Sequence, residues 1–243
     1  MLEKIVWLAL LVIAIVFLCL RLDFIHFRQF TPVFLPGLLI ATIGGLILVG
    51  QITVRRFRNK PFPPRLLLSA ILGILPLIWL VLNLVFTSKD YPAIHDITTD
   101  LDDPPQFRLA TSDRVPEDNP VDYDPANIPA QMDSYPDIQS LQTSVDKTAA
   151  IKAVKTAVEQ MGWRTLGETE TDAWQIEAVA RTPLFGFRDD VVIRITEKHI
   201  DARLVTVIDV RSASRVGLGD IGANANRIRA YLEALKNTID SRD

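Results

Sequence analysis

The sequence predicts three transmembrane α-helices followed by an α+β domain of about four antiparallel strands with two packing helices. Three observations carry this reading. The mean hydropathy is +0.21 although 23% of residues are charged, which is too apolar for an ordinary soluble chain. The apolar excess is concentrated in three stretches within the first 86 residues. After Ile138, two helix-period stripes flank segments of strand-period alternation.

The stretches Ile5 to Leu20, Val33 to Val54 and Leu66 to Phe86 match the ~20 residues needed to cross ~30 Å of hydrocarbon. None holds a charged residue, so an ion pathway of their own is not expected. Pro36, Gly37, Gly44 and Gly45 interrupt the second, which intramembrane helices tolerate when neighbouring helices pack closely. Phe17 to Leu20 offer no small-x-small cleavage site, so the first stretch is expected to be retained rather than removed as a signal peptide. The expected organisation is a transmembrane region over 1–88, an acidic Pro-rich connector over 89–137, partly packed on the domain, and an extracytoplasmic α+β domain over 138–243.

Loop charge predicts the orientation. Arg55, Arg56, Arg58, Lys60 and Arg65 lie between the second and third stretches, against Arg21, Asp23 and Arg28 between the first and second. Positive loops stay cytoplasmic. The N-terminus is then cytoplasmic and everything after Phe86 lies outside, in a bacterial inner membrane with a periplasmic or extracytoplasmic domain. The only cysteine, Cys19, falls within the first stretch, so the outer part needs no oxidative folding.

Residues 1–86 hold 8 Lys/Arg and 2 Asp/Glu, which leaves 18 of the 26 basic and 27 of the 29 acidic residues for the remainder. An acidic outer part lacks the clustered basic surface that phosphate backbones require, so nucleic acid is excluded as a partner. Between Asp90 and Asp137 there are 12 Asp/Glu, 2 Arg and repeated prolines, which favour an extended segment. Asp100, Asp102, Asp103, Asp122 and Asp124 lack the glycine-punctuated spacing of a calcium loop.

In the domain proper, Asp146 is placed to cap a helix over Lys147 to Met161, ended by Gly162. Strands are expected over Trp163 to Glu168 and Ala173 to Arg181. Alternation around Val191, Ile193 and Ile195, and around Thr206, Ile208 and Val210, predicts a hairpin turning at Lys198 to Ala202. Parity restricts its register to paired positions with an odd sum: a sum of 401 sets Asp190 opposite Arg211, and 403 sets Arg194 opposite Asp209. A last helix is expected from Ile221 to Ile239, with Asp220 as its N-cap. Both helices would cover one sheet face and leave the face of Asp190, Arg194, Asp209 and Arg211 available.

The densest polar stretch, DVRSASRVGLGDIGANANRIR from Asp209, runs from a strand into a helix N-terminus. Two readings stand side by side. In one, the helix terminus, Gly217 and Gly219, with Arg211 and Arg215, receive an anion. In the other the segment is a tight turn with Asp220 capping and Asn224 and Arg227 solvated. The residues of a ligand site would be Arg211, Ser212, Ser214, Arg215, Gly217, Gly219, Asp220, Asn224 and Arg227, joined by Asp190 and His95. The corner FGFRDDV from Phe185 is a second candidate. His26, His95 and His199 form no metal spacing, no cofactor motif is present, and no catalytic residue is assigned.

The segments PAIHDITTDLDDPPQF from Pro92, FGFRDDVVIR from Phe185 and DVRSASRVGLGDIGANANRIRAYL from Asp209 together resemble the bacterial family catalogued as domain of unknown function 1499. The resemblance implies N-terminal membrane spans, and it implies that the connector through Phe107 belongs to the domain, bringing His95, Asp96 and Asp100 toward Arg211. It lends no activity. The leading expectation is a membrane-anchored envelope module that binds an anionic small molecule, a lipid head group or an envelope protein. The alternatives are a hydrolase or transferase using His95, Asp190 and Ser212, and a scaffold or transporter subunit.

Overall fold

A computed structural model describes residues 1–87, 91–201 and 203–241, with the side chains of 83, 84, 86 and 87 left aside. The chain divides into two compact units, one built from the apolar helices and one from the sheet.

The first unit holds α1 (Leu2–Arg21), α2 (Phe27–Phe57) and α3 (Pro64–Thr87), each long and apolar enough to cross a membrane. His26 opens α2 with a reciprocal cap: its Nδ1 accepts from the Arg28 amide at 3.2 Å, and its own amide donates to Gln29 Oε1 at 3.1 Å. Glycine sets the packing. A Cβ on Gly73 would stand 2.6 Å from the Ala41 carbonyl oxygen, and one on Gly45 would stand 2.9 Å from that of Ala70. Backbones this close leave room for interhelical hydrogen bonds, and Trp7 Nε1 on α1 donates to Ser69 Oγ on α3 at 2.9 Å.

The second unit is a six-stranded antiparallel sheet: β1 (Asp96–Thr98), β2 (Leu141–Thr143), β3 (Arg164–Glu170), β4 (Trp174–Arg181), β5 (Arg188–Ile200) and β6 (Arg203–Ser214). The spatial order is β1-β6-β5-β4-β3, and β2 pairs with another part of β6. The sequence predicted about four strands. The two it missed are three residues each, too short to show a period, and both come from or just after the acidic connector. The long hairpin of β5 and β6 takes the register that sums to 403, with Arg194 facing Asp209. Its expected turn extends to Ala202, which lies outside the described residues.

Two long helices, α6 (Lys147–Gln160) and α7 (Ala223–Asp240), cover one sheet face. Asp146 caps α6 as expected, accepting the Ala149 amide at 2.8 Å. Ala153, Val154 and Ala157 of α6, with Ala225, Ile228 and Leu235 of α7, meet Ile176, Val191, Ile193, Ile208 and Val210 in one core. Helix α7 starts later than the sequence indicates, because Ile221 and Gly222 both adopt positive φ, +52° and +75°, and close the turn before the helix begins.

The opposite sheet face was expected to be available; it is covered. Residues 96–124, with the short helix α4 (Ala110–Asp113), form a strap across it, and a second helical turn, α5 (Ile128–Ser134), follows. Asp190, Asp209 and Arg211 are fully buried. The face looked solvent-directed because it is charged, but its charges are matched by others that the strap brings.

Candidate functional site: a buried charge layer and an arginine-lined cleft

Alternation along β6 sends Arg211 toward the strap and Ser212 and Ser214 toward α7. Arg211 is 0% exposed. Its Nε and one terminal nitrogen bind the two carboxylate oxygens of Asp96 at 3.0 and 2.7 Å, and the carbonyls of Pro105 and Val121 accept at 3.0 and 2.7 Å. The guanidinium stacks near the rings of Phe107 and Tyr123, with centroids at 4.6 and 5.4 Å. Burial, and then the Asp96 carboxylate, push the Tyr123 hydroxyl up to about 12.

Two similar clusters flank it. Arg215 forks onto Asp190 at 2.6 to 3.2 Å and reaches Asp113 at 2.8 Å, while Arg114 donates to Asp190 at 2.7 Å. Partial burial would raise the Asp113 carboxyl, but hydrogen bonds from Arg164 and Arg215 outweigh it and hold the group below its ordinary value. Arg194 binds Asp209 at 2.9 Å, Asp100 at 3.0 Å and Asp103 at 2.7 Å. Between these clusters the Glu177 carboxylate, also buried, accepts the amides of Arg108, Leu109 and Ala110 at 2.7 to 3.0 Å and fixes the start of α4.

On the α7 side, Asn224 ties the polar strand end to the helix: its amide nitrogen donates to Ser214 Oγ and to the His95 carbonyl at 2.9 Å, and its oxygen accepts from Ser212 Oγ at 2.7 Å. Arg227 bonds Ser212 at 3.0 Å, and Asn224 and Asp189 more closely. Burial drives the Asp189 carboxyl above its ordinary range, and Arg227 offsets part of that shift.

This geometry redistributes the residues singled out in the sequence. Arg211, Arg215 and Asp190 belong to the strap layer, where nearly every donor is already engaged. Ser212, Ser214, Asn224 and Arg227 form a separate cluster under α7. Gly217 takes a positive φ of +94° and Gly219 packs on Ala93, so both serve the loop. Asp220 supplies the anion at the helix start itself: its carboxylate accepts the amides of Gly222 and Asn224 at 2.9 and 2.7 Å. Of the trio named for the alternative hydrolase reading, Ser212 points to the α7 side of the sheet and Asp190 to the strap side, so the sheet separates these two. The acid that does share the face of Ser212 is Asp189; alternation and register together could have identified it.

One open cleft of about 460 Å³ borders the α7 cluster. Its apolar part is Met161 and Trp163, its rim carries Arg164 and Arg181, and Ala223 and Arg227 of α7 close it. A second cleft, of about 560 Å³, carries Asp100 and Asp102 against Lys198 and is therefore mixed in sign. The first has the more cationic lining. Among the described residues, no group of three His, Cys, Asp or Glu is placed to hold a metal ion.

No curated protein shows significant similarity to this chain. A family model described as "Protein of unknown function (DUF1499)" matches residues 96–235, from the first strap strand, through the charge layer and the cleft, into α7. That span is more than half of the chain, and the protein is a member of this family.

Proposed function

We propose that the protein is a membrane-tethered binding module of the cell envelope, whose sheet domain lies outside the cytoplasmic membrane and holds an anionic ligand in the cleft of Trp163, Arg164, Arg181 and Arg227. The observation that carries this reading is an open cleft lined by Arg164, Arg181 and Arg227 beside Trp163 and by no acidic residue, with Arg164 also reaching Asp113 and Arg227 reaching Asp189. Arginine matches carboxylate and phosphate oxygens in pairs, and a ring such as that of Trp163 accommodates the apolar remainder of a ligand. The orientation rests on the basic loop between α2 and α3.

Full-length protein in mild detergent, incubated with phosphatidylglycerol or with inorganic phosphate, tests the reading by native mass spectrometry. Arg181→Ala and Arg164→Ala alter rim positions, and each is expected to weaken the adduct by roughly tenfold, the worth of a charge-assisted hydrogen bond. A phosphatidylglycerol adduct alone identifies a lipid head group, and a phosphate adduct identifies a soluble anion. Adducts that persist unchanged in both variants eliminate this cleft, and a chain that retains only another protein favours a scaffold.

A further inference from the structure

The loop between β6 and α7 is pinned at its base and apolar at its crest. At the base, Asp220 donates its amide to the Ile94 carbonyl at 3.2 Å, and a Cβ on Gly219 would stand 3.3 Å from Ala93. A Cβ on Gly222 would overlap the ring of Tyr91. At the crest Leu218 is 88% exposed and Ile221 47% exposed. Ile221 holds a φ of +52°, a backbone conformation that β-branched residues avoid. The Asp220 carboxylate, bound to the amides on the far side of Ile221, holds that conformation in place. Its outcome is an isoleucine held partly in solvent beside a bare leucine, and a protein that keeps a strained apolar crest has a use for it.

The partner follows from chain connectivity. Tyr91, which supports the loop, comes four residues after the end of α3, and four residues span at most about 14 Å whatever their path. We infer that Leu218 and Ile221 insert into the interfacial layer of the bilayer that α1–α3 cross, with Tyr91 at head-group level. Apolar side chains on a tethered loop favour that layer without needing a charged lipid, and tyrosine is enriched at it. The inference depends on membrane insertion of the three helices and is independent of the anion cleft.

The test is site-directed fluorescence in the full-length protein carrying Cys19→Ser, reconstituted in phosphatidylcholine vesicles with or without doxyl-labelled phosphatidylcholine. An environment-sensitive dye is attached at Leu218→Cys or, as the control, at Leu204→Cys. Leu204 is also an exposed apolar residue but lies by the hairpin turn at the other end of the sheet. The dye at 218 is expected to be quenched by doxyl lipid about twofold or more over the dye at 204, and to be shielded from aqueous iodide. Equal iodide quenching at both positions overturns the inference, as does a dye at 218 shielded from both quenchers, which would place the loop against protein.

Discussion

Arg194 on β5 stands directly opposite Asp209 on β6, and the two are joined at 2.9 Å inside the domain rather than on its surface. An exposed cross-strand pair contributes roughly 0.2 to 1 kcal/mol. Here the same pair also receives Asp100 and Asp103 from the strap, and Ser140 donates to the Asp209 carboxylate. The register that makes this pair leaves Asp190 and Arg211 without each other, and each is satisfied from elsewhere, by Arg114 and Arg215 for the first and by Asp96 for the second. Strand register and strap position are therefore one choice.

Removing one member of the Arg211–Asp96 pair should cost more than removing both. Asp96→Ala leaves a buried guanidinium uncompensated and is expected to destabilise the domain by about 3 to 5 kcal/mol. Combining it with Arg211→Met should recover a large part of that loss. Denaturant titration of the full-length protein, followed by tryptophan fluorescence, measures both.

Loosening the strap at Glu177, with the arginine–aspartate pairs left intact, should be local. Glu177→Gln keeps the shape of the side chain but weakens three charge-assisted acceptances, so amide exchange at Arg108, Leu109 and Ala110 should rise by at least roughly tenfold. Exchange in the α6 and α7 core should change far less.

Two pH effects of opposite sign are expected. The Asp113 carboxyl is held below its unfolded value, so its contribution is present above about pH 4, the unfolded range, and is lost as pH falls through the folded value. Asp113→Asn should therefore flatten the acid limb of a stability profile. The Tyr123 hydroxyl is raised to about 12 from 10.0, so its contribution is full below pH 10 and disappears as pH climbs toward 12. Tyr123→Phe should flatten the alkaline limb at little cost near neutrality, because that hydroxyl has no hydrogen-bond partner among the described residues. Thermal melts across the pH range measure both.

Among the apolar helices, glycines should differ sharply. Gly73→Val drives a side chain into the Ala41 carbonyl and should lower the melting temperature in detergent by several degrees. Gly50→Ala meets nothing within 4 Å and should be neutral or slightly stabilising.

What could be read in the sequence was what repeats. The three apolar stretches, the α6 stripe with its Asp146 cap and the alternating β5–β6 hairpin all have periods that burial imposes. The strap had none: β1 is three residues long, and its position depends on Arg211 more than a hundred residues later. Alternation also could not distinguish a charged face bathed in water from one closed by opposite charge, so Asp190 and Arg211 looked available when they are buried. At the helix start, of the two readings the sequence left side by side, the geometry is that of the turn: Asp220 accepts the Gly222 and Asn224 amides. The arginine cleft escaped notice because Arg164, Arg181 and Arg227 come from three elements that only the fold brings together.

The pairing of Asp96–Thr98 with Arg211–Ala213 also orders events during synthesis. The strap is made first and must wait for almost the whole domain before its docking strand exists. Until then Asp96 has no Arg211 to pair with, and Asp100 and Asp103 have Arg194 of β5 without the Asp209 that stands opposite it. Contacts of such long sequence separation form late and slowly. A chain truncated before β6 would lack Arg211 and leave the strap undocked, an exposed segment of the kind at which proteolysis concentrates.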